Sequence, residues 1–226
     1  EKQSRFAQMV KDDFQSSKIS FLEAQAGLGK TYGYLLPLLQ LAQDEQIIVS
    51  VPTKILQDQI MANEAKKIQE VFNISCQSIK GPGNYIKLDS FAETLHREGD
   101  NRLVNRYKMQ LLVWLTETLT GDLDEIRQKQ RFEVYFEQIK HDGNLSEKSL
   151  YRDVDFWNRT YENAKHSKLL IINHAYFLER VQDDKAFAAK KILVFDEAQK
   201  LILNLEQFSR RRVNVTQLVQ KLEKHL

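Results

Sequence analysis

The sequence predicts a doubly wound α/β domain, a parallel β-sheet with helices on both faces, interrupted by a helical insertion. Three observations support this fold class. Short apolar segments alternate with segments of helical periodicity, a glycine-rich segment lies between the first apolar segment and a helix, and a late apolar segment ends in two carboxylates. Alternating strands and helices are typical of parallel sheets, and a glycine-rich turn from strand to helix is typical of phosphate-binding domains.

Five short segments have the composition of buried strands. Several are near-continuous apolar runs, which is the pattern of strands that are covered on both faces of a parallel sheet. The segments are Ile19–Glu23, Gln46–Val51, Ile74–Ile79, Lys168–Ile172 and Ile192–Asp196. A helix is predicted over Lys54–Glu70, where apolar residues recur on one face and Thr53 is a suitable N-cap.

Residues 81–166 form a different kind of region, because no strand pattern occurs after the turn Gly81-Pro82-Gly83. An apolar residue recurs at every fourth position of its first predicted helix, the stripe of an amphipathic helix. These residues are Leu103, Tyr107, Leu111, Leu115 and Leu119. Thr120-Gly121-Asp122 should end that helix, and two more helices are predicted around 126–136 and 154–164. The expected core of the insertion includes Leu111, Trp114, Leu115 and Trp157.

The predicted domain boundaries follow from these patterns. The sheet domain takes residues 1–80 and 167–203, and the helical insertion takes 81–166. Residues 204–226 begin a further helical region. Because the chain starts without methionine and ends within a helical pattern, we expect it to be part of a longer protein.

The segment from Ala24 to Thr31 reads Ala-Gln-Ala-Gly-Leu-Gly-Lys-Thr and matches a phosphate-binding loop, with Ala24 in place of the usual first glycine. Gly27 and Gly29 allow backbone conformations in which successive N–H groups converge on phosphate oxygens. Lys30 should reach the β- and γ-phosphates, and the Thr31 hydroxyl should bind Mg²⁺. The alternative is a glycine-rich turn that binds no ligand.

Asp196 and Glu197 follow an apolar strand, as the acidic partner of a phosphate loop does. Asp196 should hold Mg²⁺, and Glu197 should orient and deprotonate the water that attacks the γ-phosphate. The alternative is that both carboxylates only complement the positive end of a helix dipole, a role that is compatible with catalysis. The loop and the acidic pair together predict a site for ATP and Mg²⁺.

The segment Phe21–Pro37 resembles the first motif of superfamily 2 helicases of the DinG/XPD group. Further segments are similar to other motifs of this group. Arg5-Phe-Ala-Gln8-Met9 resembles its adenine-reading segment, Val49–Gln59 its DNA-contacting block, and Asp196-Glu-Ala-Gln199 its DEAH-type box with Gln in place of His. Two more segments, Lys80–Tyr85 and Ile171–Leu178, are similar to blocks that are characteristic of this subfamily.

The resemblance implies a RecA-like first motor domain of an ATP-dependent enzyme that moves along single-stranded DNA in the 5′ to 3′ direction. It also implies a second motor domain elsewhere in the protein, an arch-like region starting near 204, and a bacterial, cytoplasmic location. The alternative is a nucleotide-gated DNA-binding module that regulates an attached upstream exonuclease without unwinding DNA. The expected nucleotide contacts are Arg5, Gln8, Ala26, Gly27, Leu28, Gly29, Lys30, Thr31 and Tyr32.

Catalysis by this chain alone should be slow, because rapid phosphoryl transfer usually needs an arginine from another domain. Lys30, Asp196 and Glu197 are its expected catalytic residues.

Six residues are candidates for DNA contact, each with a structural alternative. They are Thr53, Lys54, Asn84, Tyr85, Asn173 and His174. Thr53 is equally suited to be an N-cap, Tyr85 a core tyrosine and His174 a hydrogen-bonded structural residue. The run Arg210–Arg212 could contact phosphates or simply be solvated.

Family members carry an iron–sulfur domain where this chain has its insertion. Lys87 stands where many of them have the first cluster cysteine, and Cys76 is the sole cysteine of the chain. Because four thiolates are needed, cysteine ligation of a cluster is impossible, and we expect an insertion without one. The chain also has no apolar run of the roughly 20 residues that a membrane helix requires, and we expect no membrane association. Its net charge of +2 is too small to indicate nucleic-acid binding by itself.

Overall fold

Parallel strands form the sheet in a computed structural model of the chain, which describes residues 1–16, 19–25, 27–126, 132–144, 147–181 and 187–209. The strands in these ranges are β1 Gln46–Val51, β2 Cys76–Ser78, β3 Leu169–Asn173 and β4 Lys191–Phe195. Their order across the sheet is β2-β3-β1-β4, and every pairing is parallel. The central strand β1 therefore pairs with both β3 and β4.

Helices precede, separate and follow these strands. They are α1 Lys2–Ser16, α2 Lys30–Leu41, α3 Lys54–Ile60, α4 Lys66–Phe72, α5 Leu88–Leu95, α6 Arg102–Glu117, α7 Glu133–Ile139, α8 Phe156–His166, α9 His174–Arg180 and α10 Gln199–Ser209. A π-helical turn over Met61–Ala65 joins α3 to α4, and 3₁₀ turns occupy Pro82–Asn84 and Leu123–Glu125. Within the described ranges, none of the helices combines the length and the apolar character needed to cross a membrane.

The predicted strands are confirmed except for the first. The second is confirmed at both ends, the third is shortened to three residues, and the last two are each displaced by one residue. The prediction of a strand over Ile19–Glu23 is wrong. An apolar segment becomes a strand when its backbone pairs with a neighbour, and this one pairs with no described strand. The side chains of Ile19 and Phe21 are 79% and 90% exposed.

Apolar side chains cover both faces of the sheet, as the doubly wound prediction requires. On one face, Ile47, Val49 and Ile171 pack with apolar residues of α1, α2 and the α3–α4 helix. On the other, Ile48 and Leu170 join apolar residues of α8, α9 and the insertion. Because successive side chains of a strand point to opposite faces, most covered positions of β1 and β3 are apolar, and the buried polar exceptions are Gln46, Ser50 and Asn173.

The insertion packs as helices, as predicted. Leu111 and Trp157 are buried, and Trp114 and Leu115 pack against the same cluster at its margin. Helix α6 ends at Glu117, just before the predicted stop at Gly121. Among the described residues of the region, β-structure is confined to isolated antiparallel bridges: Tyr85 with Asp122, and Ile86 with Lys140.

A buried lysine joins the insertion to the sheet domain. The side chain of Lys80 is 4% exposed, and its Nζ donates to Asp58 of α3 at 2.9 Å and to Asp122 of the insertion at 2.6 Å. Burial opposes the charge on this ammonium, but the hydrogen bonds to Asp122 and Asp58 outweigh it and raise the pKa of Lys80. The lysine therefore stays charged and holds the turn at Asp122, which follows α6, against α3.

Gly121 lies where the chain turns after α6, and we expect Gly121→Ala to destabilise the fold. Its φ is +66°, and a Cβ would lie 2.3 Å from Phe156 Cγ. The left-handed conformation and the overpacking together should lower the free energy of unfolding by about 2–4 kcal/mol, measured by urea denaturation. Gly83→Ala is the control, since a Cβ there meets nothing within 4 Å. Equal stability of the two variants would contradict this account.

Candidate functional site

The glycine-rich loop leads directly into α2. Gly27 and Gly29 have φ values of +77° and +75°, so both occupy the left-handed region that favours glycine. Gly29 immediately precedes Lys30, the first residue of this 12-residue helix. A helix N-terminus preceded by such a loop presents N–H groups and a positive dipole end to an anion. Ala26 lies outside the described residues, and Leu28 and Tyr32 pack at the margin of the core.

The acidic pair lies at the carboxyl end of β4. The Asp196 N–H donates to the Ser50 carbonyl at 2.9 Å, which extends the pairing of β4 with β1. Glu197 has a φ of +51°, a left-handed conformation that is uncommon for residues other than glycine. Lys200 lies 2.5 Å from its carboxylate. The hydrogen bond from Lys200 is the main cause of a lowered pKa of Glu197, and Lys30 contributes in the same direction. Glu197 is therefore ionised.

Tyr34 brings the two halves of the site together. Its hydroxyl donates to Asp196 Oδ2 at 3.3 Å. Burial, reinforced by Asp196, raises the pKa of Tyr34 well above its usual value, so the phenol stays protonated. Thr31, one turn earlier on the same helix, is close enough to oppose part of this rise in the pKa of Tyr34. Thr31 and Asp196, the predicted Mg²⁺ ligands, therefore flank one phenol. One hydroxyl and one carboxylate fit Mg²⁺, which takes few protein oxygens beside phosphates and water.

Helix α1 contacts the loop through a residue that the sequence motifs did not indicate. Gln3 Nε2 donates to the Gly29 carbonyl at 2.9 Å. Of the predicted adenine contacts, Gln8 donates to Asp12 on its own helix at 2.7 Å, and Arg5 is exposed. The structure thus brings Gln3 to the loop, whereas Arg5 and Gln8 lie on the exposed side of α1. Gln3 shares a helical stripe with the buried Phe6, which could have signalled its position.

Comparisons with known proteins agree with this geometry. The family model for the DEAD/DEAH box helicase matches residues 3–97. The 3'-5' exonuclease DinG of Bacillus subtilis is 30% identical over 221 residues, which cover 95% of this chain and 24% of that protein. The proteins of the same name from Staphylococcus saprophyticus and Staphylococcus aureus are each 30% identical over 199 residues, or 86% of the chain and 22% of their own length.

The chain is therefore similar to DinG proteins along most of its length and to DEAD/DEAH box helicases over residues 3–97. It spans about a quarter of the length of these curated relatives. The loop at Gly29-Lys30 and the Asp196-Glu197 turn are the two halves of the candidate nucleotide site.

Three of the six candidate DNA contacts of this DinG-like domain lie near the surface and near one another. Lys54 Nζ donates to Asn84 Oδ1 at 2.8 Å and to Asp124 of the insertion at 2.7 Å. Thr53 caps α3, since its Oγ1 accepts from the Leu56 N–H at 3.2 Å. Thirty positions separate Lys54 from Asn84 in the sequence, and the structure places them in contact.

The other three candidates are buried. Tyr85 is 4% exposed, its hydroxyl accepts from the Lys80 N–H at 3.2 Å, and its ring packs on Trp157. Asn173 donates to Gln57 Oε1 at 3.0 Å and caps α9, because its Oδ1 accepts from the Tyr176 N–H. His174 is fully buried beside Ser50. The structural alternatives therefore account for the observed contacts of these residues. The basic run Arg210–Arg212 lies outside the described residues.

Gln57 organises the carboxyl edge of the sheet, although no motif singled it out. It is fully buried, and its Nε2 contacts Ser78 Oγ and the carbonyls of Ile79 and Ile171 at 2.8 to 3.0 Å. The segment Gln57-Asp-Gln resembles a helicase block, but only the fold identifies the partners of the amide. A buried amide that connects the ends of β2 and β3 with α3 stabilises the position of the adjacent Thr53 cap.

We expect Gln57→Ala to be strongly destabilising, because it removes the side-chain partner of the Ile79 carbonyl and of the buried Asn173 amide, which donates to Gln57 Oε1. The loss in unfolding free energy should be about 2–4 kcal/mol, measured by urea denaturation. Gln59→Ala on the same helix is the matched control, since Gln59 is exposed. A Gln57→Ala variant as stable as Gln59→Ala would show that this network contributes nothing.

Proposed function

We propose that this chain is the first motor domain of a DinG-like helicase that hydrolyses ATP to move along single-stranded DNA in the 5′ to 3′ direction. The observation that carries the proposal is the convergence of Thr31, Tyr34 and Asp196 beside the loop at Lys30. These residues belong to the two motifs of an ATP site, and they lie far apart in the sequence. A second motor domain outside this chain would complete the site and supply an arginine.

Each residue of the site takes a distinct task in this proposal. Lys30 and the N–H groups of Gly27–Thr31 bind the β- and γ-phosphates. Mg²⁺, held by Thr31 and Asp196, would neutralise phosphate charge. The ionised Glu197 accepts a hydrogen bond from the attacking water and then its proton. Arg5 and Gln8 are the proposed adenine contacts, since they match the adenine-reading segment of the family.

The proposed DNA contacts are centred on the surface shared by Thr53, Lys54 and Asn84. Lys54 is partly exposed, with 45% of its side chain accessible, and an ammonium at a helix N-terminus suits a phosphate. Asp124 now pairs with Lys54 at 2.7 Å, so a DNA phosphate would have to replace or rearrange this carboxylate. In the observed conformation Tyr85, Asn173 and His174 are buried, so they would stabilise the residues of this surface and would not contact DNA themselves.

We also propose that the insertion at 81–166 has no iron–sulfur cluster. The chain has a single cysteine, and among the described residues no three His, Cys, Asp or Glu side chains are arranged to hold a metal ion. At the position of the usual first cluster ligand, Lys87 pairs with Asp142 at 2.8 Å. Ion pairs and helix packing provide the cohesion of this region.

The ATP site is tested by Lys30→Ala and Glu197→Gln. Lys30→Ala should weaken ATP·Mg²⁺ binding by about tenfold or more, a loss of about 1.4 kcal/mol or more in binding free energy, in titration calorimetry. Glu197→Gln should bind as tightly as wild type but lower turnover by about 100-fold. Lys67→Ala, on the exposed face of α4, is the control. Undiminished nucleotide affinity in Lys30→Ala would refute the site.

A second function is supported by the name of the relatives, which are called 3'-5' exonucleases. In this alternative, the chain is a nucleotide-gated DNA-binding module that regulates an attached exonuclease domain. The nucleotide site is the same in both cases, and the difference is whether ATP turnover separates strands.

Strand displacement by the full-length protein distinguishes the two functions. If the protein is a helicase, a labelled strand should be released from a duplex with a 5′ single-stranded tail only when ATP is present and hydrolysed. Glu197→Gln should abolish that release while leaving nuclease activity on single strands in place. DNA-stimulated ATP hydrolysis without displacement would instead support the regulatory module.

A further inference from the structure

His174 is a buried polar residue with one satisfied and one unsatisfied ring nitrogen. It is the first residue of α9 and has no exposed surface. Its Nδ1 lies 2.7 Å from Ser50 Oγ. Its Nε2 is enclosed and makes no regular hydrogen bond to any residue that the structure describes. Buried polar groups are normally paired, so an unpaired nitrogen at this depth calls for a functional explanation.

The Asp196-Glu197 turn lies against this nitrogen-bearing ring. The backbone of both acidic residues is close enough to act on the charge state of the imidazole, and both carboxylates interact with it electrostatically. Phe195, the preceding residue, packs at a ring-centroid distance of 6.2 Å from His174. The imidazole of His174 therefore lies next to the acidic turn.

The turn needs such support because its geometry is unusual. Glu197 adopts a φ of +51°, which is unfavourable for a side chain with a Cβ and persists only where the surroundings impose it. Its neighbour Asp196 is fixed by a backbone hydrogen bond to Ser50. Ser50 thus makes two contacts: its carbonyl accepts from the Asp196 N–H of the turn, and its hydroxyl contacts Nδ1 of His174. Ser50 also lies three residues before Thr53, at the end of β1 that leads to the proposed DNA surface.

We propose that His174 is a positioning residue for ATP hydrolysis: together with Ser50, it sets the place of the Glu197 carboxylate above the end of β1. The inference rests on the proposed function, because it assigns His174 to the same ATP site. His174 touches neither nucleotide nor DNA in this arrangement. Its effect reaches the reaction through the backbone of the acidic turn, and it ties that turn to the strand end that precedes Thr53-Lys54.

The two ring nitrogens can be tested separately. His174→Asn places an amide near the position of Nδ1 and retains the Ser50 side of the contact, whereas His174→Gln extends an amide toward the position of Nε2. If support of the turn is the role, His174→Asn should lower the turnover number of the full-length protein with DNA by about 10- to 100-fold. The dissociation constant for ATP·Mg²⁺ should stay close to that of wild type. His174→Gln should recover part of the lost turnover, because it restores a polar group at the Nε2 position but not the contact with Ser50.

Two further variants make the result decisive. Ser50→Ala removes the other end of the contact without a large change in volume, and it should lower turnover in the same direction. Combining Ser50→Ala with His174→Asn should add little to the loss of turnover. Each change interrupts the same path, which runs from Ser50 through the side chain of residue 174 to the acidic turn. His166→Asn is the control, since His166 is exposed on α8 and should leave turnover unchanged.

The outcomes separate this inference from the proposed function. A wild-type protein that neither binds nor hydrolyses ATP would refute the proposed function itself. An active wild type with unchanged turnover in both His174→Asn and Ser50→Ala would refute the positioning role alone. Parallel loss of turnover, nucleotide affinity and thermal stability in both variants, with no recovery in His174→Gln, would also overturn it, because that pattern indicates a purely structural histidine.

Discussion

The central position of β1 is the constraint on which the rest of the structure depends. All six residues of Gln46–Val51 are buried, and the strand pairs with β3 on one side and β4 on the other. A strand enclosed in this way must have its backbone groups paired, and each buried side chain must be apolar or hydrogen-bonded, as Gln46 and Ser50 are. As a consequence, the ends of β1, β3 and β4 lie side by side, and the residues that follow them form one edge of the sheet.

That edge contains several of the buried polar residues that the structure describes. Gln57 connects β2 and β3 with α3, Asn173 connects Gln57 with α9, and Ser50 connects His174 with the acidic turn. Each contact joins residues that are distant in the sequence. A connected set of buried hydrogen bonds has few alternative arrangements, since breaking one leaves a polar group without a partner. The candidate nucleotide site and the Thr53-Lys54 surface therefore lie along the same polar edge of the sheet, which would suit the proposed link between ATP hydrolysis and DNA contact.

The helical insertion is attached to the sheet domain by ion pairs and by a shared core. Lys80 and its aspartate partners hold the turn at Asp122 against α3, and the aromatic cluster around Tyr107 and Trp157 fills the interior of the insertion. The same cluster includes Ile48 and Leu170 of the sheet. The insertion and the sheet thus share one core. From the sequence alone the two regions were predicted as separate units, because their apolar patterns differ.

Local sequence patterns by themselves determined most of the secondary-structure elements of this protein and the residue types of its candidate site. Apolar runs predicted β1 and β3 because a covered strand needs them, and the glycines before Lys30 and the carboxylates after Phe195 predicted a phosphate site. The strand over Ile19–Glu23 was not realised, because pairing with a neighbour, and not composition, makes a strand. Only the tertiary structure decided that Tyr34 joins Thr31 to Asp196, that Gln3 reaches the loop, and that Tyr85, Asn173 and His174 turn inward. Hydrogen-bond partners come from distant segments, and no local pattern encodes which polar side chain will find itself enclosed beside another.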